Sequence, residues 1–325
     1  MKYVQLNKTE LFVSRAAIGT DSIGTYIDET ESKNILDSFT EFGGNLIDTA
    51  VSYADWVPGE KSRSEKLIGR WMKEKHNRDK LVLSTKGGCP NRNTMHISRL
   101  SREEINSDMD KSLMNLGVDY VDIYFLHRDD KSIAAGELME ILGELTAAGK
   151  TRYFGLSNWS AERIAEAEKY CGEHGLNMPV VSQIQFSPAR PNLECIESTL
   201  EMMNADAFDF YSREKMNVFA FSAQAKGYFS KLDMGIPLSP KAQSRYDNET
   251  NKEIYKLLKA MSADYGCSVT ELVVAVTASN PEFITVPIIG CKNTEQVRTS
   301  IRGAELEISA EDTIRVLKQG LIVHN

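Results

Sequence analysis

Nowhere in this chain do apolar residues run unbroken for the roughly 20 positions that a membrane span requires. Cysteine is sparse: five residues, at 89, 171, 195, 267 and 291, odd in number, dispersed and without CxxC spacing. They read as reduced thiols of a cytoplasmic protein rather than as disulfides or a zinc site. Lysine and arginine are scattered, and the net charge is −8. That argues against nucleic acid or an anionic membrane as the main partner but leaves room for a local basic pocket. The opening Met1-Lys2-Tyr3-Val4-Gln5-Leu6 has no apolar h-region, so no signal peptide is expected. There is no linker, low-complexity tract or composition shift, and the expectation is one domain over residues 1–325. Gly19-Thr20-Asp21-Ser22-Ile23-Gly24 fits neither GxGxxG nor a P-loop. No serine or cysteine nucleophile stands with a base, and nothing at metal spacing accompanies His127, so no metal site is expected. What is present is an ordinary globular mixture, 42% hydrophobic and 26% charged, with ample material for a core.

Short apolar runs ending in polar groups organise that material. Tyr3 to Val13 reads as a hairpin able to plug one end of the fold. Eight strand candidates follow: Ala16–Thr20, Leu46–Asp48, Leu81–Lys86, Val121–Leu126, Arg152–Gly155, Val180–Ile184, Val218–Phe221 and Phe283–Val286. Helical stripes lie between nearly all of them. They include one from Thr30 that Gly43-Gly44 ends, and three opened by the capping boxes Ser62/Glu65, Ser101/Glu104 and Ser268/Glu271. A helix from Ser160, a helical patch over Leu193 to Met203, and a polar loop through Pro237 and Pro240 complete the middle of the chain. Helices near 250–265 and 268–279, one from Asn293 or Thr294 and one from Ser309 to Leu321 finish it. This alternation predicts a (β/α)8 TIM barrel with an N-terminal β-hairpin and extra helices late in the chain. An open doubly wound sheet is the runner-up, and the missing Gly-rich fingerprint counts against it.

In a barrel the carboxyl ends of the strands share one mouth. Asp48, Lys86 and His127 end three successive strand candidates, and Tyr53 follows Asp48 by five residues. Each alone has a plain reading: a turn acid, a rim aromatic, a lysine reaching for water, a histidine satisfied by a carbonyl. Together they form a proton-transfer set. An ammonium beside a phenol favours the phenolate and is expected to lower its pKa, while Asp48 keeps Lys86 charged and directed. His127 orients a substrate oxygen. The result is an acid aimed at a carbonyl oxygen, with the attacking species supplied by a cofactor.

Gly44-Asn45-Leu46-Ile47-Asp48-Thr49-Ala50 with Tyr53, Ser64-Glu65-Lys66-Leu67-Ile68-Gly69, Ser84-Thr85-Lys86, Tyr124-Phe125-Leu126-His127-Arg128 and Gly149 to Asn158 resemble the signatures of the aldo/keto reductase superfamily. The resemblance runs in order over nearly the whole chain. It implies hydride transfer between nicotinamide and a carbonyl, with Tyr53 as proton donor. It places Ser157, Asn158 and Gln183 at the nicotinamide carboxamide, Phe221 against the nicotinamide ring, and Ser222-Ala223-Gln224 along the pyrophosphate. By the same resemblance Gly19-Thr20-Asp21 and Asp48 approach the ribose, and Gly290, Lys292 and Gln296 belong to the adenosine-phosphate segment. Ser300 stands where relatives usually carry an asparagine for adenine. The implied cofactor is NADPH in preference to NADH.

Trp56, Arg128 and Trp159 are the candidate substrate residues, and the expected ligand is a small carbonyl compound or polyol, polar aldehydes and sugar-like alcohols above bulky apolar ketones. Two other readings stay open: a Schiff-base aldolase on Lys86, and a nicotinamide-binding, non-enzymatic subunit resembling potassium-channel β subunits. Substrate, reaction direction and oligomeric state are not legible in the residues.

Overall fold

Tyr3–Gln5 (β1) and Phe12–Ser14 (β2) pair antiparallel, with Tyr3 opposite Ser14. Leu6, Leu11 and Val13 of this hairpin are buried in one cluster with Ala17, Leu46, Val82 and Ile123, the residues near the amino ends of the inner strands. The hairpin therefore plugs the lower end of the barrel, as its apolar pattern predicts. The computed structural model describes residues 1–321.

Eight parallel strands close the barrel: Ala17–Gly19 (β3), Leu46–Asp48 (β4), Val82–Gly87 (β5), Val121–Leu126 (β6), Thr151–Ser157 (β7), Val181–Gln185 (β8), Asn217–Phe221 (β9) and Thr285–Ile289 (β10). β10 returns to pair with β3, so no edge remains. Around them lie Glu29–Glu41 (α1), Arg63–Lys75 (α2), Arg102–Leu116 (α3), Ala135–Ala147 (α4), Ala161–His174 (α5) and Ala205–Glu214 (α6). The late helices are Tyr228–Met234 (α7), Pro240–Tyr246 (α8), Glu249–Asp264 (α9), Val269–Ala278 (α10), Thr294–Glu305 (α11) and Ala310–Lys318 (α12). None of the described helices is long and apolar enough to cross a membrane.

The two-residue period of a strand sorts side chains between the inside and the helix layer. On β5, Ser84 and Lys86 face inward to Asp48, while Thr85 faces outward and donates to Glu65 of α2 at 2.6 Å. On β6, Ile123 and Phe125 fill the barrel and Tyr124 and Leu126 pack under the helices. Gly155 of β7 has no room for more: a Cβ there would lie 2.4 Å from the Phe125 ring and 2.6 Å from the Val181 carbonyl oxygen.

Local expectations mostly survive this packing, with four corrections. Ser101/Glu104 and Ser268/Glu271 are capping boxes, and Ser160 and Ser309 cap their helices. Ser62/Glu65 is not a box. Ser62 is left-handed (φ 54°) and its hydroxyl donates to the Val51 carbonyl, while Glu65 turns inward to accept from Thr85 and Asn115. The Leu193–Met203 patch is not a helix beyond the single turn Leu193–Cys195. Its backbone is drawn to β8 instead, through Gln185 N to Glu201 O and Met203 N to Gln185 O, and α6 begins only after the Asn204 cap. The segment through Pro237 and Pro240 holds α7 and α8 rather than a plain loop, and the last strand, Thr285–Ile289, begins two residues and ends three residues later than expected.

Candidate active site

Asp48 sits at the carboxyl end of β4 and is 1% exposed. Such burial is costly for a carboxylate unless every oxygen is satisfied. Oδ1 accepts from Ser84 Oγ and Gln183 Nε2, both at 2.9 Å, and Oδ2 accepts from Lys86 Nζ at 2.7 Å. Lys86 Nζ also donates to the Thr49 carbonyl at 2.7 Å and to the Tyr53 hydroxyl at 3.0 Å. Three acceptors around one nitrogen match the three N–H bonds of an ammonium. The ammonium also lies 4.6 Å from the centre of the Tyr53 ring. Tyr53 is held on the turn that follows β4, its N–H donating to Ala50 O. His127 follows β6 directly, its ring centre 5.9 Å from that of Tyr53. The four residues that the sequence places at successive strand ends therefore meet at one mouth.

Their electrostatics differ from expectation in one respect. Lys86 was expected to bring the Tyr53 phenol down; instead the phenol lies well above its ordinary value, because of burial first and then the negative charges of Asp48 and Asp21, with Arg128 pulling the other way. The lysine's positive field is offset by the carboxylate that holds it, so desolvation wins. Tyr53 thus keeps its proton at neutral pH. Lys86 is lowered by burial, opposed by Asp48. His127 lies well below the ordinary imidazole value through burial, reinforced by Arg128 and Lys86, so its ring is neutral, and its buried Nδ1 has no partner among the described residues.

Beside the tetrad, Ser157 Oγ donates to Gln183 O at 3.0 Å. Asn158 is left-handed (φ 60°); its Nδ2 donates to His127 O and Ser157 Oγ, and its Oδ1 accepts from Glu201 N. The Asn158 amide is therefore engaged at both ends by the protein. Gln183 uses Nε2 on Asp48. Phe221 ends β9 and is half-buried. Ser222, Ala225 and Lys226 follow with φ of 53°, 46° and 56°, a strained run for residues with a Cβ. Ala223 is buried, and Gln224 bridges to α11 and its approach, donating to Ser300 Oγ at 3.0 Å and accepting from Gly290 N at 3.3 Å. Lys226 is lowered by desolvation and then by the nearby charges of Lys241 and Arg245, so three cations share this corner. That donor set fits a dianionic pyrophosphate. Lys292 is exposed, its N–H donating to Gln296 Oε1, while Gln296 N donates to the Asn293 cap. Ser300 is buried beneath Gln224 and Cys291. Gly19 and Thr20 lie at the end of β3; a Cβ on Gly19 would meet Ile288 at 2.7 Å, and Thr20 Oγ1 donates to Asp48 O. Asp21 is exposed, and its charge reaches Tyr53 and Lys86.

Of the substrate candidates, Trp56 stands edge-on to Tyr53 with centres 6.0 Å apart. Arg128 donates to the His127 carbonyl, and its charge reaches Tyr53, Lys86 and His127. Trp159 is instead fully buried, donating to Arg128 O with Arg163 over its ring, and is a support behind the mouth. Sequence reasoning passed over Ser84 and Thr49, which complete the Asp48–Lys86 shell. Ser84 was within reach, since it precedes Lys86 by two on one strand and so shares its face.

The profile of the Aldo/keto reductase family matches residues 16–318. The chain belongs to the aldo/keto reductase family. This aldo/keto reductase is 25% identical over 291 residues to norsolorinic acid reductase B of Dothistroma septosporum, covering 85% of this chain and 68% of that protein. It is 28% identical over 321 residues to a probable voltage-gated potassium channel subunit beta of Arabidopsis thaliana, covering 94% and 92% of the two chains. A crystal structure of a thermostable aldo-keto reductase in complex with the inhibitor epalrestat matches the fold with a TM-score of 0.75 at 20% identity, over 98% of this chain and all of that one.

Proposed function

We propose that this aldo/keto reductase catalyses NADPH-dependent reduction of a carbonyl to the alcohol, or the reverse oxidation, with the whole chain acting as one barrel domain. The observation that carries the proposal is the buried relay from Tyr53 Oη to Lys86 Nζ at 3.0 Å and on to Asp48 at 2.7 Å. Bound nicotinamide supplies the hydride that adds to the carbonyl carbon. Tyr53 gives its proton to the carbonyl oxygen. The phenolate left behind faces the Lys86 ammonium, whose stabilisation is largest once that charge has formed, which is where a catalyst gains rate. Asp48 holds Lys86 charged and aimed. His127, neutral, can place an N–H toward the substrate oxygen without competing as an acid.

The cofactor reading rests on fit and family. Gln183 and Ser157 lie beside the tetrad, Phe221 offers a ring face, and the Lys226, Lys241 and Arg245 corner suits a pyrophosphate. Lys292 is the group proposed to favour NADPH over NADH through a 2′-phosphate. The five unbridged cysteines fit a reducing cytoplasm.

The aldolase alternative needs a free amine lone pair on Lys86, yet all three of its N–H positions point to acceptors. The non-enzymatic alternative draws on the Arabidopsis relative's name, but an assembled proton relay has no task in a passive subunit. The deciding experiment follows reduced-nicotinamide absorbance with NADPH and with NADH across aldehydes, ketones and sugars. Absence of turnover with every carbonyl, alongside retained NADPH binding, would move the reading to the binding subunit.

A further inference from the structure

The most deeply buried arginines around the barrel are saturated. Arg163 meets Asp129, Glu166 and the Ile133 carbonyl, and Arg190 meets the carbonyls of Ser187, Gln319 and Leu317. Arg128 is not; Arg63 and Arg78 also leave a buried Nε unpartnered among the described residues, but of the three it is Arg128 whose charge reaches Tyr53, Lys86 and His127. Among the described residues its guanidinium makes one hydrogen bond, from an Nη to His127 O at 2.8 Å, and its buried Nε has no partner. No carboxylate lies within ion-pair distance of it among the described residues. The neighbouring acids are committed elsewhere, Asp129 to Arg163 and Asp130 to Ser132.

The backbone of Arg128 is pinned from both sides. Its carbonyl accepts from the buried Trp159 indole, and the His127 carbonyl just before it accepts from Asn158. The side chain is thus a positioned cation with donors to spare. Its charge reaches Tyr53, Lys86, His127 and Cys89, in each case favouring the form with fewer protons. Asp48 and Lys86 are an ion pair and Asp21 adds a negative charge on the Tyr53 and Lys86 side, whereas the charges felt at His127 are the positive ones of Arg128 and Lys86, so Arg128 makes the His127 side of the mouth positive. An unsatisfied guanidinium fork beside a reacting carbonyl is complementary to a carboxylate.

We infer that Arg128 is a specificity-determining residue that binds an anionic group on the substrate, and that the preferred substrates are oxo acids with a carboxylate a few bonds from the carbonyl. This rests on the reductase reading above. It narrows the polar carbonyl compounds expected from the sequence to anionic ones, and it gives Arg128 a task that its bond to His127 O does not require.

The test uses the NADPH-loaded enzyme with chain-matched pairs, 4-oxobutanoate against butanal and glyoxylate against acetaldehyde. The expected result is a higher kcat/KM for the acid in at least one pair. In Arg128→Gln the acid-to-neutral ratio falls on the order of 100-fold, chiefly through KM. Arg128→Lys, which keeps the charge but not the fork, falls between. The ratio is taken within each protein, so a general loss of activity cancels. NADPH binding, read by fluorescence, checks that each variant is folded. Should Arg128→Gln not fold, inhibition of butanal reduction by butanoate but not by butanamide in the unaltered enzyme supports the same inference. Equal use of acid and neutral in both pairs overturns it, as does an unchanged ratio in Arg128→Gln or equal inhibition by butanoate and butanamide. Turnover of neutral aldehydes with no acid preference defeats only this inference, whereas no turnover of any carbonyl defeats the reductase reading itself.

Discussion

Removing the charge of Asp48 tests the relay most directly. In Asp48→Asn the carbonyl end of the amide must stay toward Ser84 Oγ and Gln183 Nε2, both donors at 2.9 Å, so the NH2 end turns toward Lys86 Nζ. Donor then meets donor at a position now 2.7 Å from the ammonium. Lys86 is left as a buried cation without a counter-ion, or sheds a proton. Losing one member of a buried pair costs about 3–5 kcal/mol, a large share of the roughly 5–15 kcal/mol by which proteins are stable. Lys86→Met leaves Asp48 as the unpaired charge and is expected to cost a similar amount. The double variant removes both charges at nearly constant volume. What remains unpaid is the Thr49 carbonyl and the Tyr53 hydroxyl, about 1–3 kcal/mol each at most. Urea unfolding of all four proteins should therefore show the double variant losing less than the sum of the singles, by about 4 kcal/mol at the middle of these ranges. Activity should not recover with stability: kcat for reduction falls about 100- to 1000-fold in all three variants, because the cation facing the phenolate is absent or undirected. Losses that simply add, within about 0.5 kcal/mol, would mean that the two residues are not an ion pair in the folded protein.

Three further outcomes are expected. Tyr53→Phe abolishes the proton donor and lowers kcat by about 100- to 10,000-fold, with NADPH binding nearly unaltered by fluorescence titration; near-normal kcat removes Tyr53 from the role of acid. Because the folded pKa of His127 is depressed below the ordinary 6.5, the unfolded chain takes up a proton there that the folded protein does not. Stability from this residue is therefore full above about pH 6.5 and declines as pH falls below it; His127→Phe should flatten that part of the urea-stability profile, and an unchanged slope counts against a neutral buried imidazole. Gly155→Ala places a methyl 2.4 Å from the Phe125 ring, and thermal unfolding should report a loss of about 1–3 kcal/mol or more.

Much of this was legible in the residues. Eight apolar runs with helical stripes between them permit few closures, and each run that ends on Asp48, Lys86 or His127 delivers that group to the same face of a parallel barrel. Two of the misreadings share one cause. Ser62/Glu65 has the spelling of a capping box and Leu193–Met203 the composition of a helix, yet Thr85, Asn115 and β8 offered their polar groups better partners than a helix did. Trp159 likewise reads as a substrate residue until Arg163 and the Arg128 carbonyl are seen to enclose it.

From the chain alone came the fold class and the identity of the four residues at the mouth, because strand period, capping chemistry and residue type are local properties; the family came from the resemblance of its motifs. Only the assembled barrel decided which of their charges prevail. Burial depends on every neighbour at once, and it outweighs Lys86 in setting the Tyr53 phenol, keeps His127 neutral and leaves Arg128 with donors unspent.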